Sequence, residues 1–403
     1  MSIDTELEKL ASFSEVPAPA VTRVVFSEAD LAARSYIKGL ATAEGFQIRE
    51  DAVGNTFIRW VGSEPDAPAV GTGSHIDAIP YSGRYDGTVG VLGGLDAMRI
   101  LRAQGFQPRR SIELLLFTSE EPTRFGIGCL GSRLLCGNLD GTADERLKDN
   151  GSATLKDIRT TAGFTGRLDD VRLKAGYYHA FLELHIEQGP LLERSGIPLG
   201  VVTAIAAPAS MRVYLEGEGG HAGAVLMRER RDALTGAAEI ILALEHAARQ
   251  TGAIDTVATV GICNVFPGAI NGIPSRVELG MDIRDIQLPR RDQVLDQISE
   301  ECDRIAAARG LNIRRELLNA DAPAECHPLA VHALEAACDG LAYQKMVSRA
   351  YHDSLFMAQL CPTSMLFIPC RAGVSHRPDE YASPADIDRG IQVLSGALAS
   401  LSR

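Results

Sequence analysis

Several short stretches of this chain carry residues able to hold a cation or move a proton. GSHIDAIPYSGRYDG, residues 73–87, places His75 and Asp77 at the end of an apolar run and Asp86 in a glycine-rich turn. Glu120 and Glu121 close a second apolar run, which Pro122 stops. His185 ends the run YYHAFLELH, and His376 follows another in GVSHRPDEY. Imidazoles and carboxylates with no thiolate beside them match the donor set of a paired divalent-metal centre.

Taken singly, each has an ordinary explanation. His75 with Asp77 is a common polar pair, although a carboxylate there can accept the imidazole's other N–H and fix its tautomer. Asp86 reads equally as a turn aspartate or a helix cap. Adjacent acids at 120–121 usually mark a solvated strand end. They also point differently, so one can bind metal while its neighbour stays free as a proton acceptor. The constellation matters more than any member.

The elements that must position these residues alternate between strand and helix. Residues 27–45 have helical periodicity, with Ser27 as cap and Leu31, Ala32, Tyr36, Ile37 and Leu40 on one face. QIREDAVGNTFIRWVG reads as two strands about a Gly-Asn turn. AVGTGSH is a buried strand ending at His75, VGVLGGLDAMRILRAQG a helix with small residues on its packed face, and SIELLLFTSEE a second buried strand. This order predicts a mixed α/β sheet covered on both sides. His75, Glu120–Glu121 and His185 all stand at strand ends, where open α/β sheets build their sites.

From about residue 209 the pattern changes to β-α-β-β-α-β, the order of a compact ferredoxin-like α+β unit. After the DAPAEC linker a helix, the strand SMLFIPC and a closing helix resume. The expected organisation is therefore a catalytic domain in two parts, 1–208 and 323–403, around an inserted domain, 209–322.

Composition narrows the partners. The chain has 403 residues, 45% hydrophobic and 23% charged, with mean hydropathy +0.01, as expected of an ordinary globular protein of two domains. A net charge of −12 without a basic stripe argues against nucleic acid. The acidic start MSIDTELEKLASFSE reads as an amphipathic helix and not as a secretion signal, and no apolar segment suits a bilayer. Eight scattered cysteines without a CxxC pair fit reduced, mostly buried thiols and a cytoplasmic location.

GSHIDAIPYSGRYDG, FTSEEPTRFG, ELHIEQGP, GGHAGAVLM, NGIP, DIRD and VSHRPDE, in this order, resemble the amidohydrolase and carbamoylase branch of the dinuclear zinc-peptidase fold. The resemblance implies that His75, Asp86, Glu121, His185 and His376 hold two divalent ions, manganese by expectation and zinc as the alternative, with Asp86 between them. It implies Glu120 as general base and Asp77 as the partner of His75. The inserted domain becomes a lid that also builds a homodimer. His221 then stabilises the oxyanion, in its own subunit or across to its partner, and Gln188, Asn271, Arg284, Tyr351 and His352 bind substrate. Guanidinium and carboxylate pair through two parallel hydrogen bonds, which suits Arg284 to a carboxylate substrate. Left to themselves, Arg284 in DIRD reads as a strand salt bridge and Asn271 as a turn former.

Many carbamoylases have HAGTTPM where this chain has HAGAVLM, and a glycine where it has Tyr351. Both differences resemble the ureidoglycolate amidohydrolase branch and favour a small, polar, hydroxylated substrate. The resulting expectation is hydrolysis of (S)-ureidoglycolate to glyoxylate, ammonia and carbon dioxide in purine-nitrogen salvage. Hydrolysis of N-carbamoyl-L-amino acids or allantoate is the alternative. An aminopeptidase or a non-catalytic binding protein is weaker, because a binder has no use for Glu120.

Overall fold

Runs of apolar residues bounded by turns assemble into a nine-stranded mixed sheet in the computed structural model, which describes residues 2–403. Met1, the first residue of the expected amino-terminal helix, lies outside them; the helix itself spans Ile3–Ala11. The chain divides into two compact units. One comprises residues up to 203 together with 325–348 and 352–403; the other comprises 204–324 and 349–351.

In the first unit four strands run parallel through the centre: Thr363–Ile368, Tyr178–Ile186, Ala69–Ser74 and Ile112–Leu116. Every residue of these strands except His179 is buried, as parallel strands between helical layers must be. Antiparallel strands extend the sheet, Thr56–Trp60 and Gln47–Glu50 on one side and Gly200–Ile205 on the other. Parallel direction brings four carboxyl ends to one edge, where ligands bind in open α/β sheets.

The helix Thr88–Ala103 packs on the sheet with Gly90, Gly93, Gly94 and Ala97 buried. A Cβ at Gly90 would stand 2.4 Å from the Leu184 carbonyl oxygen and 2.6 Å from Ser74 Cβ, so only glycine allows this approach. Leu184 and Ile391 pack beside the same helix, the latter from the closing helix Pro384–Ser402. Side-chain alternation sends Phe181, Glu183 and His185 to the opposite face, where Phe57, Phe117, Leu130, Leu134 and Met357 form an apolar cluster.

The helix Glu28–Ala43 begins after Ser27, whose hydroxyl accepts from the Asp30 N–H. Its buried face is not the expected one. Asp30, Ala33, Arg34, Ile37 and Ala41 face inward, while Leu31, Ala32, Tyr36 and Leu40 stay partly exposed. Arg34 Nε reaches Asp30 at 2.9 Å and its Nη1 reaches the Gly54 carbonyl at 2.7 Å, so paired polar groups turned the apolar stripe off centre.

The second unit holds four antiparallel strands in the order Val257–Phe266, Arg276–Asp285, Ala207–Glu216, Asn312–Ala320. Helices Ala233–Gln250 and Leu288–Arg309 pack on it through Ile240, Leu244, Ile298, Cys302 and Ile305. This is the ferredoxin-like order. Among the described residues no helix is long and apolar enough to cross a membrane. All eight cysteines are free thiols, seven of them buried.

Candidate metal centre

Local backbone delivers each ligand-type side chain to the carboxyl edge of the first unit's sheet. Ala69–Ser74 ends one residue before His75, and His185 is the penultimate residue of Tyr178–Ile186. Ile112–Leu116 ends earlier than expected, so Glu120 and Glu121 lie in the loop beyond it. That loop is held from the side: N–H groups of Cys129, Leu130 and Gly131 donate to the carbonyls of Glu120, Ser119 and Thr118 at 2.8–2.9 Å.

Asp86 stands at the centre. Its Oδ1 is 3.1 Å from His185 Nε2 and 3.6 Å from His75 Nε2, and its Oδ2 is 3.0 Å from His376 Nε2. His376 Nε2 also approaches Glu121 Oε1 at 3.2 Å. The helix that follows begins after Gly87 with no side-chain cap, so Asp86 is not serving as one. Among the described residues three sets of donor atoms each lie within 4.8 Å of one another: His75–Asp86–His185 and Asp86–Glu121–His376, which share Asp86, and Glu183–His185–His352.

Glu120 Oε2 is 3.8 Å from His75 Nε2, and Cys129 Sγ donates to its Oε1 at 3.7 Å. Asp77 supports both acids: its two oxygens accept the N–H groups of Glu120 and Glu121 at 3.2 and 3.0 Å. Its Oδ1 is also 3.6 Å from His75 Nδ1, which lies 3.0 Å from the Asp77 carbonyl. Gln188 Nε2 donates to Asp86 Oδ2 at 2.8 Å, while its Oε1 is buried with no hydrogen-bond partner among the described residues. His352 is buried edge-on against His185, ring centroids 4.6 Å apart.

Strained backbone collects here. Ser119, Cys129, Gln188 and His376 all have positive φ, which non-glycine residues rarely adopt without a local reason.

Burial would lift the Asp86 carboxyl, but hydrogen bonds from His185, His376 and His75 hold it well below its ordinary range. Burial pushes Glu120 far up, aided by Glu121, Asp353 and Asp86 and opposed by His75. Burial also raises Glu121, against the pull of His376. Burial disfavours charge on His75 and His185, yet carboxylates led by Glu120 for the first and Asp86 for the second outweigh it. Asp86 and Glu121 lift His376 to about 11. Crowded buried carboxylates interleaved with imidazoles demand positive charge at their centre. A divalent cation meets that demand with the oxygen and nitrogen donors it prefers, so the residues present fit a metal.

The second unit holds the other sequence-derived candidates. Gly220–His221 pairs antiparallel with Gly272–Ile273, and the Ala222 N–H donates to the Asn271 carbonyl at 2.9 Å, which keeps His221 beside Asn271. Arg284 Nε donates to Asp282 at 2.7 Å and its Nη1 to the Arg349 carbonyl at 3.3 Å. Tyr351 donates its hydroxyl to Asp321 Oδ2 at 3.3 Å.

Sequence reasoning passed over four acids or hydroxyls that brace the cluster. Glu380 accepts the N–H groups of Tyr85 and Asp86, and Ser375 donates to Asp86 Oδ2 at 3.1 Å. Glu183 takes the hydroxyls of Ser74 and Ser354 at 2.7 and 2.5 Å, and Asp353 takes that of Ser132 at 2.5 Å. Glu380 and Ser375 were within reach, since both stand in the motif that contains His376.

Imidazoles gathered around a shared carboxylate, beyond parallel strand ends and in a chain with a ferredoxin-like insertion, define the class of metal-binding α/β hydrolases. Residues 71–400 match peptidase family M20/M25/M40, and the chain belongs to that family. It is 52% identical to a ureidoglycolate hydrolase of Oryza sativa subsp. japonica, over 99% of this chain and 84% of that one. An N-carbamoyl-L-amino acid amidohydrolase of Geobacillus stearothermophilus is 38% identical over 96% of this chain and 95% of its own. Crystal structures of AtUAH with (S)-hydroxyglycine and with glyoxylate superpose with TM-score 0.90 at 50% and 51% identity, covering 99% of this chain and 97% of that one.

Proposed function

We propose that this chain is a metal-dependent amidohydrolase that cleaves the C–N bond of a small ureido acid, (S)-ureidoglycolate, to give glyoxylate, ammonia and carbon dioxide. The observation that carries the reading is the meeting of three histidines on Asp86 with Glu120 alongside. The likeness to a ureidoglycolate hydrolase at 52% identity, and to AtUAH in complex with (S)-hydroxyglycine and with glyoxylate, supports the substrate.

His75, Asp86, Glu121, His185 and His376 would hold two divalent ions, manganese by preference, with Asp86 shared. When bound, such ions lower the pKa of a water and polarise the scissile carbonyl. Glu120 takes the proton of the attacking water and returns it to the departing nitrogen, a contribution typically worth about 10²–10⁴-fold. Asp77 keeps Glu120 and Glu121 divergent. Gln188 Oε1, buried and unpartnered, is an acceptor suited to a ureido N–H. His221 Nδ1 accepts the Gly223 N–H at 3.1 Å, which leaves Nε2 as the ring atom to meet an oxyanion. Arg284 and Asn271 grip the substrate carboxylate, with Tyr351 and His352 completing recognition. The ferredoxin-like unit serves as lid and homodimer contact. Eight free thiols suit a reducing, cytoplasmic setting, and the proposed substrate would place the chain in purine-nitrogen salvage.

The test is a comparison of rates on ureidoglycolate, N-carbamoyl amino acids and allantoate, each with added manganese and again after exhaustive chelation. Ureidoglycolate should be fastest, and chelation should abolish turnover until manganese is restored. Brisk hydrolysis of carbamoyl amino acids with none of ureidoglycolate overturns the substrate.

A further inference from the structure

We propose that Glu380 is a positioning residue that locks Asp86 and His376 into one metal-binding unit; the inference rests on the metal reading of the site. His75 and His185 stand on or beside central strands, whose ladders fix them. Asp86 and His376 have no such support. Asp86 lies in the turn before Gly87, and His376 lies between Val374 and Glu380 in irregular backbone with its own φ at 59°.

Glu380 joins the two segments. Its Oε1 accepts the N–H of Tyr85 at 2.8 Å and that of Asp86 at 3.1 Å. Its Oε2 accepts the Ser375 hydroxyl at 3.0 Å, and the same hydroxyl lies 3.1 Å from Asp86 Oδ2. A serine has one proton to give, so Asp86 and Glu380 compete for it. Were Asp86 engaged by a cation, Glu380 would still accept the Ser375 hydroxyl, so Ser375 would not be left unpaired.

The surroundings are built to admit this side chain. Glu380 is 4% exposed, and a Cβ at Gly83 would fall 2.3 Å from Glu380 Cβ and 2.4 Å from its Oε1. Burying a carboxylate is costly unless its lone pairs are used, and here both oxygens are used on the two segments that carry metal ligands. Its N–H also closes the turn onto the Arg377 carbonyl at 3.1 Å, which holds it close to His376.

The experiment measures manganese affinity by calorimetry on the full chain, together with unfolding temperature in the absence of metal. Parent, Glu380→Ala and Glu380→Gln are compared. Outer partners of metal ligands typically contribute 10–100-fold to affinity, and Glu380→Ala should lose that much. Glu380→Gln keeps one acceptor for the two N–H groups and should retain most of the affinity, even if the alanine variant folds poorly. Unchanged affinity in Glu380→Ala with only a lower unfolding temperature overturns the proposal, leaving a merely structural acid, and so does a loss of about 10-fold or more in Glu380→Gln. A parent chain that binds no manganese instead overturns the metal reading itself.

Discussion

Asp77 and Glu121 are joined by a 3.0 Å hydrogen bond from the Glu121 N–H to Asp77 Oδ2, while Asp77 Oδ1 takes the Glu120 N–H at 3.2 Å. One side chain therefore sets the backbone of both acids and, two residues from His75, the loop of a histidine as well. Asp77→Ala releases all three. Its activity should fall about 10–100-fold and its metal affinity should fall with it. Parallel kinetics and calorimetry check this, and a variant with parent-like values in both would refute the bracing role.

Glu121, and not Glu120, approaches His376, so the proposed base should be separable from the proposed ligand set. Glu120→Gln should keep the full metal content and lose about 10²–10⁴-fold in turnover. Metal analysis of the purified variant beside its rate decides the matter. Full activity would remove Glu120 from the chemistry.

Gly87 is constrained twice. Its φ is 66°, and an added Cβ would sit 2.5 Å from both Cδ2 and Nε2 of His75. Gly87→Ala should therefore displace His75 as well as pay about 1 kcal/mol or more for the left-handed backbone. The expected outcome is reduced metal affinity together with a lower unfolding temperature. Ala at Gly105, also with positive φ but with open space around it, is the control: it should lower the unfolding temperature alone.

Asp353, which braces the cluster without being one of the proposed ligands, gives a pH prediction. Burial, then the nearby Glu183 carboxylate, pushes its carboxyl from 3.8 to about 8, against the Ser132 hydrogen bond. Between those values the folded chain keeps a proton that the unfolded chain has released. Stability from this group is therefore present at low pH and is lost as pH rises toward 8, by up to about 1.4 kcal/mol per pH unit. Asp353→Asn cannot ionise and should show a flatter profile, gaining on the parent as pH approaches 8. Thermal unfolding at several pH values between 5 and 8.5, with metal saturating, tests it. Identical slopes would rule the assignment out.

The mixed sheet and the ferredoxin-like order were legible because both rest on periodicities that survive in a single sequence. Ala69–Ser74 and Ile112–Leu116 are short, nearly uninterrupted apolar runs, and the small residues of Thr88–Ala103 announce a close helix–sheet contact. The buried face of Glu28–Ala43 was not legible, because an internal Asp30–Arg34 pair buries charge where hydropathy expects leucine. At the site, ligand-type residues stood out by type and by motif. Their supports did not: Glu183 and Asp353 look like any acid until the fold brings Ser74, Ser354 and Ser132 to them. Nor could sequence foresee that Arg349–Tyr351 would pack with the second unit while the residues on either side stay with the first.

The strand Thr363–Ile368 lies beside Tyr178–Ile186 in the middle of the sheet, and His376 stands in the loop that follows it, past the short turn Arg371–Gly373. Synthesis must therefore reach the final tenth of the chain before either the sheet's interior or the donor set is complete. A ribosome-bound product stopped before residue 363 would present an open sheet edge and an unfinished cage.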